Sequence, residues 1–139
     1  MIDPLEALIE YTRRDADLVT LIGERVAGRH MYGDGWALGA RGMTLRYDGG
    51  PSDLYTERQT LRVEGRFYGQ GQADAGKVWA RFHSLTRIAE RVTVQTSTGT
   101  GLIYWVKPIS APSVLYDPDL RMDYFLQFFS VAVHEVAVA

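Results

Sequence analysis

The sequence predicts an α+β domain: one mostly antiparallel β-sheet, a long helix packed on one of its faces, and an N-terminal helix. Three observations lead there. Asp3-Pro4-Leu5-Glu6 reads as a helix start, Thr60–Tyr68 alternates apolar and polar residues, and Ala73–Val92 carries apolar residues at helical spacing. The order is helix, short helix, two strands, long helix, then strands, with no internal repeat or linker. That order suits a two-layer sandwich in a single domain spanning 1–139.

Each element has a local cause. Asp3 is placed as N-cap, Pro4 at the first helical position and Glu6 at the third, answering the cap. Leu5, Leu8 and Ile9 then share one face, and Glu6, Glu10 and Arg13 the other. Asp15 or Asp17 caps a short helical stretch with Leu18, Leu21 and Ile22 inward, and Gly23 ends it. Residues 28–42 hold five glycines and read as a long loop carrying Met31, Tyr32 and Trp36. Loops of that length are usually functional or disordered. Met43–Tyr47 is a short strand closed by the breaker Asp48-Gly49-Gly50-Pro51. In Thr60–Tyr68, Leu61, Val63 and Phe67 face one way and Arg62, Glu64 and Arg66 the other, as in a half-exposed antiparallel strand. The long helix Ala73–Val92 sets Ala75, Val78, Trp79, Phe82, Leu85, Ala89 and Val92 inward, with Lys77, Arg81, Arg87 and Arg91 on its other side. Leu102–Ile109 and Tyr124–Val136 are further strands, with a short one at Ser113–Tyr116 between them. The last strand is apolar on both faces, Tyr124, Leu126 and Phe128 against Phe125, Phe129, Val131 and Val133. Such a strand must be covered on both, by helices or by a neighbouring subunit.

Composition bounds the function. With 139 residues, 46% hydrophobic and 12% aromatic, the chain can bury about two-thirds of its unfolded surface and is no disordered tail. The absence of cysteine excludes a disulfide scaffold, a thiolate metal site and a cysteine nucleophile. No apolar run approaches the roughly 20 residues of a membrane-spanning helix. Met1-Ile2-Asp3-Pro4 begins no basic-then-apolar leader, so the expected place is the cell interior or an assembly built there. The net charge of -2 is unevenly spread: residues 1–58 carry -3, residues 59–107 carry +4 and residues 108–139 carry -3. This suits self-association of unlike faces as well as it suits an anionic ligand, or simply one solvated basic helix face. Thirteen of the 15 cations are arginine, which favours bidentate pairing at interfaces; a GC-rich coding sequence gives the same bias.

Three constellations can be read as chemistry. Gly71–Lys77 fits G-x-x-x-x-G-K between a strand and a helix, as in a phosphate-binding loop. The next residue is Val78, where a hydroxyl should hold Mg²⁺, and the preceding strand is half polar. Gly69-Gln70-Gly71 lacks the third glycine of a dinucleotide site. His30, His83 and His134 show no metal-ligand spacing, and Ser84, Ser97 and Ser130 have no nucleophile-elbow context. The basic helix face permits weak electrostatic contact with DNA, without any sequence-specific signature.

The opening helix followed by Asp15-Ala16-Asp17-Leu18-Val19-Thr20-Leu21-Ile22-Gly23-Glu24-Arg25-Val26 resembles the N-terminal signature of the tail terminator (tail completion, neck) proteins of long-tailed bacteriophages. The same order follows: a glycine-rich loop, a strand leading to Asp48-Gly49-Gly50, a polar turn at Tyr68–Gly71, the long helix and a closing strand. The aspartate-rich turn before an aromatic strand matches Asp117-Pro118-Asp119-Leu120-Arg121-Met122-Asp123-Tyr124. The resemblance spans nearly the whole chain. It implies a virion protein without enzymatic activity or cofactor, assembling as a hexameric ring in the host cytoplasm and sitting in the tail–neck region. The ring would cap the tail tube, stop its polymerisation and meet the head connector or stopper protein, with possible non-specific contact to DNA in the lumen.

Under that reading Phe125, Phe129 and Val131 are the candidates for subunit or core packing, and Tyr32, Trp36 and Tyr55 for axial partners. Arg81, Arg87 and Arg91 are candidates for a lateral ion-pair seam or a lumen face. The competing expectation is a small cytosolic α+β enzyme or ligand-binding domain using Gly71–Lys77 for a nucleotide.

Overall fold

A computed structural model of the chain describes residues 2–23, 25–27, 40–49 and 58–136. The helices are α1 (Pro4–Arg13), α2 (Ala16–Ile22) and α3 (Gln72–Ile88). The strands are β1 (Val26–Ala27), β2 (Gly42–Tyr47), β3 (Arg58–Gly69), β4 (Val92–Thr96), β5 (Gly99–Pro108), β6 (Ser113–Asp117) and β7 (Met122–Val136). They form one sheet in the order β1-β2-β3-β7-β5-β4, with β6 also on β7. Only the short β1–β2 pair is parallel. The expected α+β sandwich with a mostly antiparallel sheet is what forms.

The fifteen-residue β7 is the spine. Its one edge pairs with β3 from Asp123 to His134. Its other edge is shared: β5 takes Phe129–Val136 and β6 takes Met122–Leu126. The corner between them is stitched to β7, because Ile109 N–H donates to the Phe128 carbonyl (3.0 Å), Phe128 N–H to Ser110 Oγ (3.1 Å) and Gln127 Nε2 to the Ser110 carbonyl (2.8 Å).

All three helices lie on one face of this sheet. Against them the strands present Met43, Leu45, Val63, Phe67, Phe129 and Val131, all buried. Phe67, Phe82 and Phe129 meet in a triangle of ring centroids 5.0–6.3 Å apart. Asp3 caps α1 through Leu5 N–H, and Asp15, rather than Asp17, caps α2 through Leu18 N–H at 2.8 Å. Glu6 does not answer the first cap. Its carboxylate instead accepts the Ser97 N–H (2.7 Å) in the β4–β5 turn, tying α1 to the sheet.

One expectation needs correction. The long helix stops at Ile88, not Val92: Ala89 leaves helical geometry, Arg91 takes a φ of 55°, and Val92 pairs with Ile103 as the start of β4. Ala89 and Val92 prolong the helical spacing because each is apolar for its own reason. The last strand is also covered unevenly. Phe125, Phe129, Val131 and Val133 lie towards the helices, but Tyr124, Leu126 and Phe128 are half-buried with no helix over them.

Candidate assembly surface

The helix-free face of the sheet is a lattice of charge and aromatic rings. Glu64, only 5% exposed, accepts from Arg66 Nε at 2.7 Å and lies 3.2 Å from Arg46 Nε. Arg62 pairs with Asp48 at 2.9 Å and lays its guanidinium 4.5 Å above Phe128, while Arg66 sits 5.3 Å above Tyr124. Burial works against the charge on Arg66, but hydrogen bonds to Tyr68 and Glu64 outweigh it and hold the pKa above its ordinary value. The buried carboxylate of Glu64 is thus satisfied within the chain by two guanidiniums.

Beyond it β6 and β7 project as a hairpin. Asp117 Oδ1 accepts the N–H groups of Asp119 (2.9 Å) and Leu120 (3.2 Å), and Arg121 closes the turn at a φ of 55°. Tyr68 and Tyr124 stack at 5.0 Å over Leu120 and Met122, a small second core that stiffens the hairpin base. β6 itself is exposed almost throughout: Val114, Leu115 and Tyr116 (58%) all face solvent. Asp117, Asp119 and Asp123 make the hairpin acidic. Among the described residues β6 has no strand on the edge away from β7.

A groove of about 460 Å³ lies between the C-terminal end of α3 and β5. His83, Arg87, Glu90, Trp105 and Lys107 are among its lining residues, and Lys107 Nζ lies 4.8 Å over the Trp105 ring. β4 covers only Gly99–Ile103 of β5, and among the described residues no second strand pairs with Tyr104–Pro108. Ile88 (66% exposed) and Ile109 adjoin the lining residues in sequence.

Against this geometry the candidates from sequence divide. Tyr32, Trp36 and Tyr55 lie outside the described residues. Phe129 and Val131 are fully buried in the subunit's own core and offer nothing to a neighbour. Phe125 is half-buried, stacked 5.5 Å from Trp79. Arg81 is not a free cation on a basic face: its Nε and Nη2 bind both oxygens of Asp15 at 2.7 and 2.6 Å, with Asp17 at 3.6 Å. Arg87 is exposed in the last turn of α3, and Arg91 is exposed in the turn after it, off the helix. The basic middle segment therefore pairs partly with the acidic first segment inside one chain, as Arg81–Asp15 and Arg62–Asp48 show.

The nucleotide-loop expectation also changes. Only Gly71 is a cap; Gln72–Lys77 are already helix, and Gly76 faces the Phe125 ring. The helix N-terminus is occupied by the chain's own Asp74, which accepts the Gln70 N–H (3.1 Å) and pairs with Arg41 (2.7 Å). Burial raises its pKa, but those contacts more than reverse the effect and hold it low. His83 stacks on Trp79 at 5.1 Å, and His134 sits 6.1 Å from the Tyr104 ring. Among the described residues no group of acids and histidines can hold a metal ion, and no helix is long and apolar enough to cross a membrane.

The open edges, the exposed β6 and the groove escaped notice in the sequence. The signal was the run Val114-Leu115-Tyr116, apolar on both faces of a strand too short to be a core strand.

No protein-family model matches the sequence, and no curated protein matches it. The fold matches that of solved chains, among them one in the virion of a native gene transfer agent particle, with a TM-score of 0.63 over 92% of this chain and 92% of that one, at 18% sequence identity.

Proposed function

We propose that this protein is a structural component of a phage-like virion: a subunit of a ring, hexameric on the family resemblance, that caps the tail tube, ends its polymerisation and joins the tail to the head connector. The observation that carries the reading is the end-to-end fold likeness to a chain in a virion particle. On this reading the partners are further copies of the chain, the tail tube protein, the connector or stopper protein, and DNA passing through the lumen without sequence preference.

The test is assembly. Light scattering and electron microscopy of the purified chain, alone and with preformed tail tubes, should show rings or ring-capped tube ends. Tail tube protein polymerised in its presence should stop short of the lengths reached without it. Tubes of unchanged length and bare ends would overturn the proposal.

A further inference from the structure

We propose that β6 is a self-pairing strand, which aligns antiparallel with β6 of a second copy of this chain across a two-fold axis at Leu115. The contact goes beyond the ring reading and stands apart from it. A two-fold contact joins two subunits, or two rings, and closes no ring by itself.

β6 has the marks of a strand left ready for pairing. Val114, Leu115 and Tyr116 are consecutive and exposed, three of the seven large hydrophobics exposed among the described residues. Ser113–Asp117 contains no lysine, arginine or proline, the residues that usually blunt a sheet edge. β4, the last strand in the sheet order, is treated differently. Arg14 Nη1 donates to its Thr93 carbonyl (2.7 Å), and α1 lies against it. One edge strand is guarded and the other is bare.

The register of β6 matches itself. On β7, Leu115 stands opposite Tyr124, and Val114 and Tyr116 stand opposite Phe125 and Asp123. Val114 and Tyr116 therefore share one face, and Leu115 lies on the other. Antiparallel alignment about Leu115 sets Val114 of one copy beside Tyr116 of the other, and the two Leu115 side chains beside each other. Each exposed apolar residue of β6 gains an apolar neighbour across the axis. Ser113 falls beside Asp117, a hydroxyl donor beside a carboxylate.

Charge sets the direction of the pair. Asp117, Asp119 and Asp123 lie at one end of β6, so parallel pairing would press Asp117 against Asp117. Antiparallel pairing keeps those two carboxylates about 13 Å apart along the strands, four residues at about 3.3 Å each. That exceeds the screening length of about 8 Å at physiological salt. Pro112 and Pro118 flank the strand and hold the ladder to five residues.

The chain has no cysteine, so single cysteines report the register directly. Leu115→Cys places two thiols opposite each other, with Cα atoms about 4.5–5.5 Å apart, within disulfide reach. Val114→Cys or Tyr116→Cys alone sets the thiols two residues out of step, about 8 Å apart and beyond that reach. Under mild oxidation Leu115→Cys should give covalent dimer, twice the 15.6 kDa chain, at least tenfold faster than either of these alone. Mixing Val114→Cys with Tyr116→Cys should restore the fast rate. In sedimentation, Leu115→Lys should weaken wild-type self-association at least tenfold, with a thermal midpoint close to wild type because the side chain is exposed.

Equal rates for the three single variants, or no gain on mixing, would sink the proposal. So would a wild-type chain that stays monomeric at its highest soluble concentration, or Leu115→Lys that associates as wild type does. Equal cross-linking rates together with loss of tail-tube binding by Leu115→Lys would assign β6 to the tube protein instead.

Discussion

Gly69 and Gly71 stand two residues apart and are constrained very differently. A Cβ on Gly69 would lie 2.3 Å from the Ala75 backbone nitrogen, where α3 crosses the end of β3, and backbone cannot swing aside as a side chain does. A Cβ on Gly71 meets nothing within 4 Å, and its φ of -172° is extended backbone open to any residue. Gly69→Ala should therefore lower stability by about 3 kcal/mol or more. Gly71→Ala should cost less than about 1 kcal/mol, the difference between two uncharged N-cap residues. Urea unfolding of the two variants reads the contrast, and equal losses would mean that α3 does not press on Gly69. Nothing in Tyr68-Gly69-Gln70-Gly71 distinguishes the two glycines, because the collision comes from a helix laid across the strand. Phe129 and Phe128 show the same limit. Alternation places them on opposite faces, but only the positions of the helices decide which is core.

Among the elements, α2 shows how a short helix of seven residues is held. Asp15 accepts the Leu18 N–H and both donors of Arg81, a bidentate pair joining α2 to α3. The Arg81 hydrogen bonds are the main reason that the Asp15 carboxyl stays below its ordinary pKa, against a smaller opposing effect of burial. A folded-state pKa below the unfolded value contributes stability above the usual carboxylate range. That contribution is lost as pH falls through the depressed value. Asp15→Asn keeps an N-capping oxygen but removes the charge. Its thermal midpoint should fall less steeply than that of wild type between about pH 5 and pH 2. Parallel curves for the two proteins would assign the acid sensitivity to other carboxylates. The caps, α1, β3 and β7 were legible because their signals are local: a side chain two or three residues from its target, or a period of two or 3.6. The Asp15–Arg81 pair joins residues 66 apart, and no local rule reaches that far. β4 was hidden for another reason. Ala89 and Val92 continue the helical period across a boundary that depends on the left-handed backbone of Arg91.

For the whole molecule, β7 is the strand on which β3, β5 and β6 all depend. A chain ended at Leu120 keeps all three helices and six strands, yet it loses the partner of three of those strands and Phe129, one of the three rings of the aromatic triangle. It should show no cooperative thermal transition by circular dichroism, and a sharp transition would mean that the remaining strands close on each other. The sandwich itself was legible from element order, because few arrangements bury a one-sided helix and an alternating strand. Its open edges were not, since an edge is defined by what fails to lie beside it. β7 also has a mechanical consequence. Fifteen residues at about 3.3 Å each make a rod of about 50 Å, running from the hairpin to the far side of the sheet. The ladder bonds lie across the rod, so a pull along it loads them in shear, all together, rather than peeling them one by one.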